Sequence, residues 1–410
     1  MTQERPSGRA LPKARSRLLG ALLVVVGLGL AFVITRSALV QRLPASEALE
    51  FDPQSGSALT QAAEIQQSEG HSSAAFDLAR RALSAEPFNV TALRVVGLVT
   101  ASRSDPDAAD PIMTLAGNWS LRDAPTQAWL FQQRLRHADY ASAFAHADAL
   151  MRQIDDAQPP MFQVFAKLVK ADPHSLAPLA QRLATNPPWR HAFFDSLMGD
   201  PQGQATAAAL AVGISNSEHP ATNGELSALF NSLVQSHQGL AADQLWRRLS
   251  VGATARGQPY DGDFGAATSP EPFGWSILGG EGSTVEVSPD NDRPGKRALR
   301  VQYDGYSTPD LIKTYMVLPP GAHRLSGLTR SEMTEGADRL GWVVKCADDG
   351  EVLLEAKGAP TEAAGAWQPF AAPFSVPASG CQGQWLQLVA YPGERRTDIA
   401  VWYDKLAVTP

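Results

Sequence analysis

Positive charge is scarce in this chain. Past the first 17 residues there is no basic block, and 35 Lys and Arg against 42 Asp and Glu leave a formal net charge of −7. Nucleic-acid binding needs clustered cations to replace phosphate counterions, so that class is set aside. Catalytic signatures are missing as well. No GxSxG, P-loop, GxGxxG after a strand, HExxH or CxxC occurs in usable context, and the chain reads as a non-enzyme. Cysteine is limited to Cys346 and Cys381. In a reducing compartment these read as two buried thiols; in an oxidising one a single disulfide fits. What is present is a 410-residue chain that is 44% hydrophobic, 8% aromatic and 19% charged. That composition supports packed cores, and the length suits two or three domains.

Residues 18–35 read LLGALLVVVGLGLAFVIT, with no charge. As a helix this run is ~27 Å long at ~1.5 Å per residue, close to a bilayer core of about 30 Å. Arg5, Arg9, Lys13, Arg15 and Arg17 precede it. The positive-inside bias keeps that end cytoplasmic and sends the remainder out. The competing reading is a cleaved signal peptide. Its apolar core is normally shorter, and the candidate cleavage stretch Ala45-Ser46-Glu47-Ala48 lies far from the apolar run, so an uncleaved anchor is expected. Gly27 and Ala31 form a small-xxx-small pair, which such helices often carry without pairing. With export, the oxidising environment favours a Cys346–Cys381 bridge over free thiols.

From about 57 to 250 the chain is rich in Ala, Leu and Gln at helical spacing. ALTQAAEIQQSEG and SSAAFDLARRALSAEP read as two amphipathic helices joined at Gly70, the second stopping at Pro87. Ala75, Ala109, Ala143 and Ala177 lie 34 residues apart, and Ala82, Ala116, Leu150 and Ala184 hold the same spacing seven residues later. Small residues at a fixed period suit stacked helical hairpins. The stretch 56–97, with Ala63, Gly70, Ala75, Ala82, Pro87 and Gly97, resembles a tetratricopeptide repeat. Ala138-Asp139-Tyr140 resembles that family's Gly-x-Tyr turn. The resemblance implies binding of a partner protein or peptide. His71, His137, His146 and His174 read as surface histidines, because no pair has the HExxH geometry and no Cys or Glu cluster accompanies them.

Near 251 the composition shifts to Gly, Pro and alternating Val, Tyr and Trp. Strands are expected at 282–287, 297–303, 312–317, 322–330, 339–346, 351–356, 367–375, 384–391 and 399–408, as in an antiparallel sandwich. Several pieces, in order, resemble a jelly roll of the carbohydrate-binding-module or galactose-binding-like type. They are Asp261-Gly262-Asp263-Phe264 at a first strand, Pro272-Phe273-Gly274-Trp275, GKRALRV from Gly295, PPGAHRLSG from Pro319, Trp367-Gln368-Pro369-Phe370 and Trp402-Tyr403-Asp404. Alternation along QWLQLVAY puts Leu386, Leu388 and Ala390 on one face and Trp385, Gln387, Val389 and Tyr391 on the other. Trp342 shares a face with Leu340, Val344 and Cys346 and is expected in the core. The resemblance implies a glycan site on a concave sheet face, with Trp385, Tyr391, Gln387 and Arg330 as its residues. The plain alternative is that these aromatics fill the sandwich or its rim. It also implies one structural calcium, with Asp263 and Asp404 as oxygen donors; a solvent-exposed pair is the alternative. Asp348, Asp349, Glu351 and Glu355 are acids of the kind a glycosidase uses, though nearly any domain has such acids.

The expected architecture is therefore multidomain. A cytoplasmic basic tail (1–17) leads into a transmembrane helix (18–36) and a linker (37–55). An all-α tetratricopeptide-like solenoid (56–250) and an all-β jelly-roll sandwich (255–410) follow, in a single-pass protein of the bacterial inner membrane with its bulk in the periplasm. The resemblances imply a scaffold that engages an envelope protein through its helices and a polysaccharide through its sandwich. An assembly factor with a purely structural sandwich and a carbohydrate-active enzyme are the alternatives.

Overall fold

The computed structural model describes residues 43–103, 105–249, 257–265, 269–333, 336–358 and 364–410. The basic tail, the expected membrane span and the linker up to residue 42 lie outside the described residues. Among the described residues no helix is long and apolar enough to cross a membrane. Thirteen described α-helices precede ten described strands, and the chain divides into two compact units after Ala157.

The first unit holds α1 (Ala45–Phe51), α2 (Gly56–Ser68), α3 (Ser72–Ala85), α4 (Val90–Arg103), α5 (Pro106–Trp119), α6 (Ala124–Arg136) and α7 (Tyr140–Met151). The expected hairpin at Gly70 is α2–α3. Gly70 has φ +82°, a left-handed turn that costs glycine nothing. Helices α2, α4 and α6 begin 34 residues apart, and so do α3, α5 and α7. The small residues explain the close stacking. Ala75, Ala109 and Ala143 are fully buried, as are Ala82 and Ala116. A Cβ on Gly97 would overlap the Met113 side chain.

The register carries on to a helix that begins at Gln158, 34 residues after α6, and ends there. A 3₁₀ turn at Pro173–Ser175 delays the next helix to Leu176, and Ala177 is exposed. His71, His137 and His174 are exposed, but His146 is half-buried with Nδ1 2.7 Å from Gln127 Oε1. Burial, and then the nearby Arg134 charge, pull its pKa below the ordinary histidine value.

The second unit begins with α8 (Gln158–Ala171), α9 (Leu176–Leu183), α10 (Arg190–Ser196), α11 (Pro201–Ile214), α12 (Asn223–Gln235) and α13 (Gly239–Leu249). Thr222 and Glu225 cap α12 reciprocally, satisfying two backbone donors. Glu225 also grips Arg190 at 2.9 and 3.1 Å, and both residues are buried.

An antiparallel sandwich completes the unit. One sheet runs β1 (Ser276–Ile277), β4 (Ile312–Met316), β9 (Gln384–Ala390), β6 (Leu340–Cys346), β7 (Val352–Lys357). The other runs β2 (Ser283–Pro289), β3 (Arg297–Tyr303), β10 (Ile399–Thr409), β5 (Gly321–Ser331), β8 (Gln368–Val376). Leu299, Val301, Trp342, Val344, Leu386, Leu388 and Tyr403 meet in the core between them.

The nine expected strands all form. The expected first strand at Asp261–Phe264 does not: it is a turn, with Phe264 at φ 51° and fully buried, and the Gly265 N–H donating to Asp261 Oδ1 at 2.9 Å. The short β1 takes its place beside β4.

Cys346 ends β6 and Cys381 leads into β9, and the two are bridged with Cα atoms 5.4 Å apart. Closing a loop across a separation of 35 residues restricts the unfolded chain and stabilises the fold by roughly 3–4 kcal/mol. Reduction, or Cys381→Ser, is expected to lower the melting temperature of the sandwich. An unchanged midpoint with and without reductant would contradict this.

Candidate functional site

Strand β9 is hydrogen-bonded to β4 on one side and β6 on the other. Because Leu386 and Leu388 are buried in the core, Trp385 and Gln387 point outward. Pairing then assembles rows on the outer face. Tyr315, Trp385 and Lys345 make one row. Lys313, Gln387, Val343 and Glu355 make the next, followed by Val389, Gly341 and Lys357. Tyr391, just past β9, lays its ring over Gly341, where a Cβ would come within 2.9 Å of it. Trp385, Gln387 and Tyr391 are all half-buried, so each keeps an accessible part.

Each aromatic carries a cation. Lys313 Nζ lies 5.0 Å from the Trp385 ring centroid, and Lys357 Nζ lies 4.3 Å from that of Tyr391. Burial of the Tyr391 hydroxyl, and then the Glu355 carboxylate, push its pKa above the ordinary phenol value, keeping it protonated. The face thus offers two aromatic plates, an amide, a carboxylate and three ammonium groups. Such groups hold polyhydroxylated ligands by stacking and hydrogen bonding.

Arg330 does not join them. It sits on β5, on the outer face of the opposite sheet, so the core separates it from Trp385. There it lies between two indoles, 5.0 Å from the Trp367 centroid and 4.7 Å from that of Trp402. Arg293 stacks 4.1 Å from Trp367, and Arg300 lies 5.6 Å from Trp402. Acids hold this ladder in place. Asp290 pairs with Arg293 at 2.5 Å and with Arg330 at 3.3 Å; Asp292 pairs with Arg330; Glu332 accepts the Trp402 indole N–H at 2.7 Å. Arg330 is only 7% exposed, so its role is to seal this face. Alternation on β5 and β10 reveals the ladder only once their pairing is known.

The expected calcium donors do not fit a calcium site as they stand. Asp404 Oδ2 pairs with Arg293 at 2.8 Å, and its Oδ1 accepts from the Lys405 N–H at 2.7 Å. Asp263 is exposed. Among the described residues no group of three His, Cys, Asp or Glu side chains gathers as a metal site.

The Trp385 end of the open face is walled by α12 and α13. Trp246 stacks on Phe273 at 5.7 Å, Phe230 meets both edge-on, and Phe273 meets Tyr315 at 5.8 Å. Tyr315 in turn lies edge-on to Trp385 at 5.1 Å. A Cβ on Gly239 or Gly383 would overlap the Tyr315 hydroxyl, so only glycine allows this approach. Tyr260 closes the seam, its hydroxyl donating to buried Asp243, which also accepts from Arg247 Nε at 2.7 Å. Burial pushes the pKa values of Tyr260 and Tyr315 upward, keeping both neutral.

The ladder carries a pH dependence. Burial opposes ionisation of Asp290, but its hydrogen bond from Arg293, the Asp292 N–H and the Arg330 charge outweigh it and lower the pKa. The Trp402 indole, and then Arg300, lower that of Glu332 against its own partial burial. Folded values below unfolded ones mean stability that is complete above pH ~4 and lost as pH falls through the lowered folded values. The melting temperature should therefore fall on acidification below pH ~4. Asp290→Asn should lower it at neutral pH and flatten the acid slope; a slope as steep as the parent's would contradict this role.

No protein-family model matches the chain, and no curated protein matches it. Solved structures similar to it include carbohydrate-binding modules. The CBM22-1 xylan-binding domain of Paenibacillus barcinonensis Xyn10C shares 15% identity over 33% of this chain and 83% of its own, with TM-score 0.25. A family 4 module shares 15% over 36% and 97%, with TM-score 0.27. The CBM6cm-2 module of Cellvibrio mixtus lichenase 5A, in complex with cellotriose, shares 14% over 33% and 90%, with TM-score 0.23. Scores of this size carry no weight on function, and the sandwich is defined by its own strand order and register.

Proposed function

We propose that this chain is a non-catalytic, membrane-anchored binding protein of the bacterial envelope, and that its sandwich holds a glycan on the outer face of the β1–β4–β9–β6–β7 sheet. The observation that carries the reading is the placement of half-exposed Trp385 and Gln387 on the outer face of β9, with half-exposed Tyr391 just past its end. Aromatic plates stack on the C–H faces of sugars, and the amide and charged groups beside them bond hydroxyls. The 34-residue spacing of helix starts in the first unit supports a tetratricopeptide-like array, with an envelope protein as its partner. The uncharged run 18–35 behind a basic tail supports a single-pass anchor with a cytoplasmic N-terminus and periplasmic bulk. Assembly or export of envelope polysaccharide is the setting that joins these roles.

One observation favours a second reading. The seam from Trp246 to Tyr315 packs helices firmly on the sandwich, as in an assembly factor whose sandwich is structural. Trp385→Ala separates the two. On the glycan reading the variant keeps its circular dichroism spectrum and binds immobilised polysaccharide at least about tenfold more weakly, ~1.4 kcal/mol. Wild-type protein that binds no polysaccharide, or a variant that binds equally well, would favour the assembly factor. Reporters fused to the C-terminus should be active only in an exported form; activity of a cytoplasmic reporter would remove the envelope setting.

A further inference from the structure

The open face of the sandwich has a charge opposite to that of the chain. Its described strands carry Lys313, Lys345 and Lys357 against a single acid, Glu355, whereas the whole chain has net charge −7. Glu355 Oε1 lies 3.8 Å from Lys357 Nζ. Among the described residues neither Lys313 nor Lys345 has a carboxylate within ion-pair distance. Acids do occur in the turn after β6, namely Asp348, Asp349 and Glu351. Asp348 is engaged by the Gln382 N–H at 2.8 Å and faces His237 at 3.4 Å, and Asp349 accepts from the Glu351 N–H at 2.9 Å. They border the face at the Lys345 end and leave the strands themselves cationic.

The position of the lysines matters more than their number. Two of them stand over the rings that a sugar would stack on. A ligand on Trp385 or Tyr391 must displace an ammonium from an aromatic face, which gives up a cation–π contact. A neutral sugar offers that ammonium only hydroxyls. A sugar carboxylate offers it a charge-assisted hydrogen bond, about twice as strong as a neutral one, which offsets the loss. The Tyr391 ring lies over Gly341, in the row of Val389, four strand positions from Trp385, about 14 Å at ~3.4 Å per residue. Engaging both lysine–aromatic pairs therefore takes a long chain with repeated negative charge.

We infer that the ligand of this face is an acidic polysaccharide bearing repeated sugar carboxylates, selected over its neutral counterparts. The inference rests on the glycan-binding reading, and its test separates the two. Full-length protein in detergent is titrated with polygalacturonate, alginate and hyaluronan, each paired with its carboxyl-reduced form, and with neutral xylan. Expected is binding of at least one acidic polymer about tenfold tighter than its reduced form. That preference should shrink as salt approaches ~0.5 M, where exposed charges are screened, and should disappear in the double variant K313Q/K357Q with its fold intact by circular dichroism. Equal binding of acidic and reduced forms, or binding of neutral xylan alone, lost in Trp385→Ala, would overturn the inference and leave the glycan reading standing. Binding to none of the polymers would overturn both.

Discussion

The register of β9 governs everything proposed for the sandwich. This strand lies inside its sheet, bonded to β4 and β6 along its length. Side chains alternate with a period of two, so a slip of one residue would exchange the two faces entirely. Leu386 and Leu388 forbid that slip, because both are buried against the opposite sheet. The same constraint that fills the core thus presents Trp385, Gln387 and Tyr391 outward, together with the lysines of neighbouring strands. The bridge between Cys346 and Cys381 ties the end of β6 to the approach of β9 and reinforces that pairing.

The two outer faces have opposite fates. On the β3–β10–β5 side, arginines interleave with Trp367 and Trp402, and buried acids neutralise them. Arg293, Arg300 and Arg330 are all answered by acids of the chain, so these three leave little for a ligand. On the β4–β9–β6 side Lys313 and Lys357 rest on aromatic rings, and Glu355, 3.8 Å from Lys357, is the one strand acid set against three lysines. A cation–π contact is weaker than a paired ion in a partly buried setting, which leaves this face open to exchange. One face is consumed by stability, and the other retains unsatisfied affinity.

Much of this was legible in the sequence, and the failures have physical causes. Alternation located nine strands and assigned Trp342, Leu386 and Leu388 inward, because burial on one face imposes a period of two. The hairpin at Gly70 was readable from helical spacing and one glycine. Strand order was not readable. It is set by long-range pairing, with β9 inserted between β4 and β6 and β10 between β3 and β5. For that reason the sequence alone groups Arg330 with Trp385, although the core lies between them, and does not reveal that Lys313 and Lys357 cover the aromatics. The turn at Asp261–Phe264 resembled a strand by its residues, yet Phe264 takes a positive φ that ends any extended run. His146 looked like a surface residue because helical periodicity alone does not show which neighbour covers it.

The aromatic seam bears on modularity. By composition the sandwich begins near residue 255, a natural place to cut the chain or to graft the module elsewhere. Phe273 and Tyr260, however, find their partners in Phe230 and Trp246 of α12 and α13, and the Tyr315 hydroxyl lies against Gly239 of α13. Severing the chain at the composition boundary would bare these rings, each with an area of ~150–250 Å², enough together to form an adhesive patch. The helical hairpin is therefore the sandwich's own lid of hydrocarbon, and the unit that folds, and that evolution can move as a piece, begins upstream of the first strand.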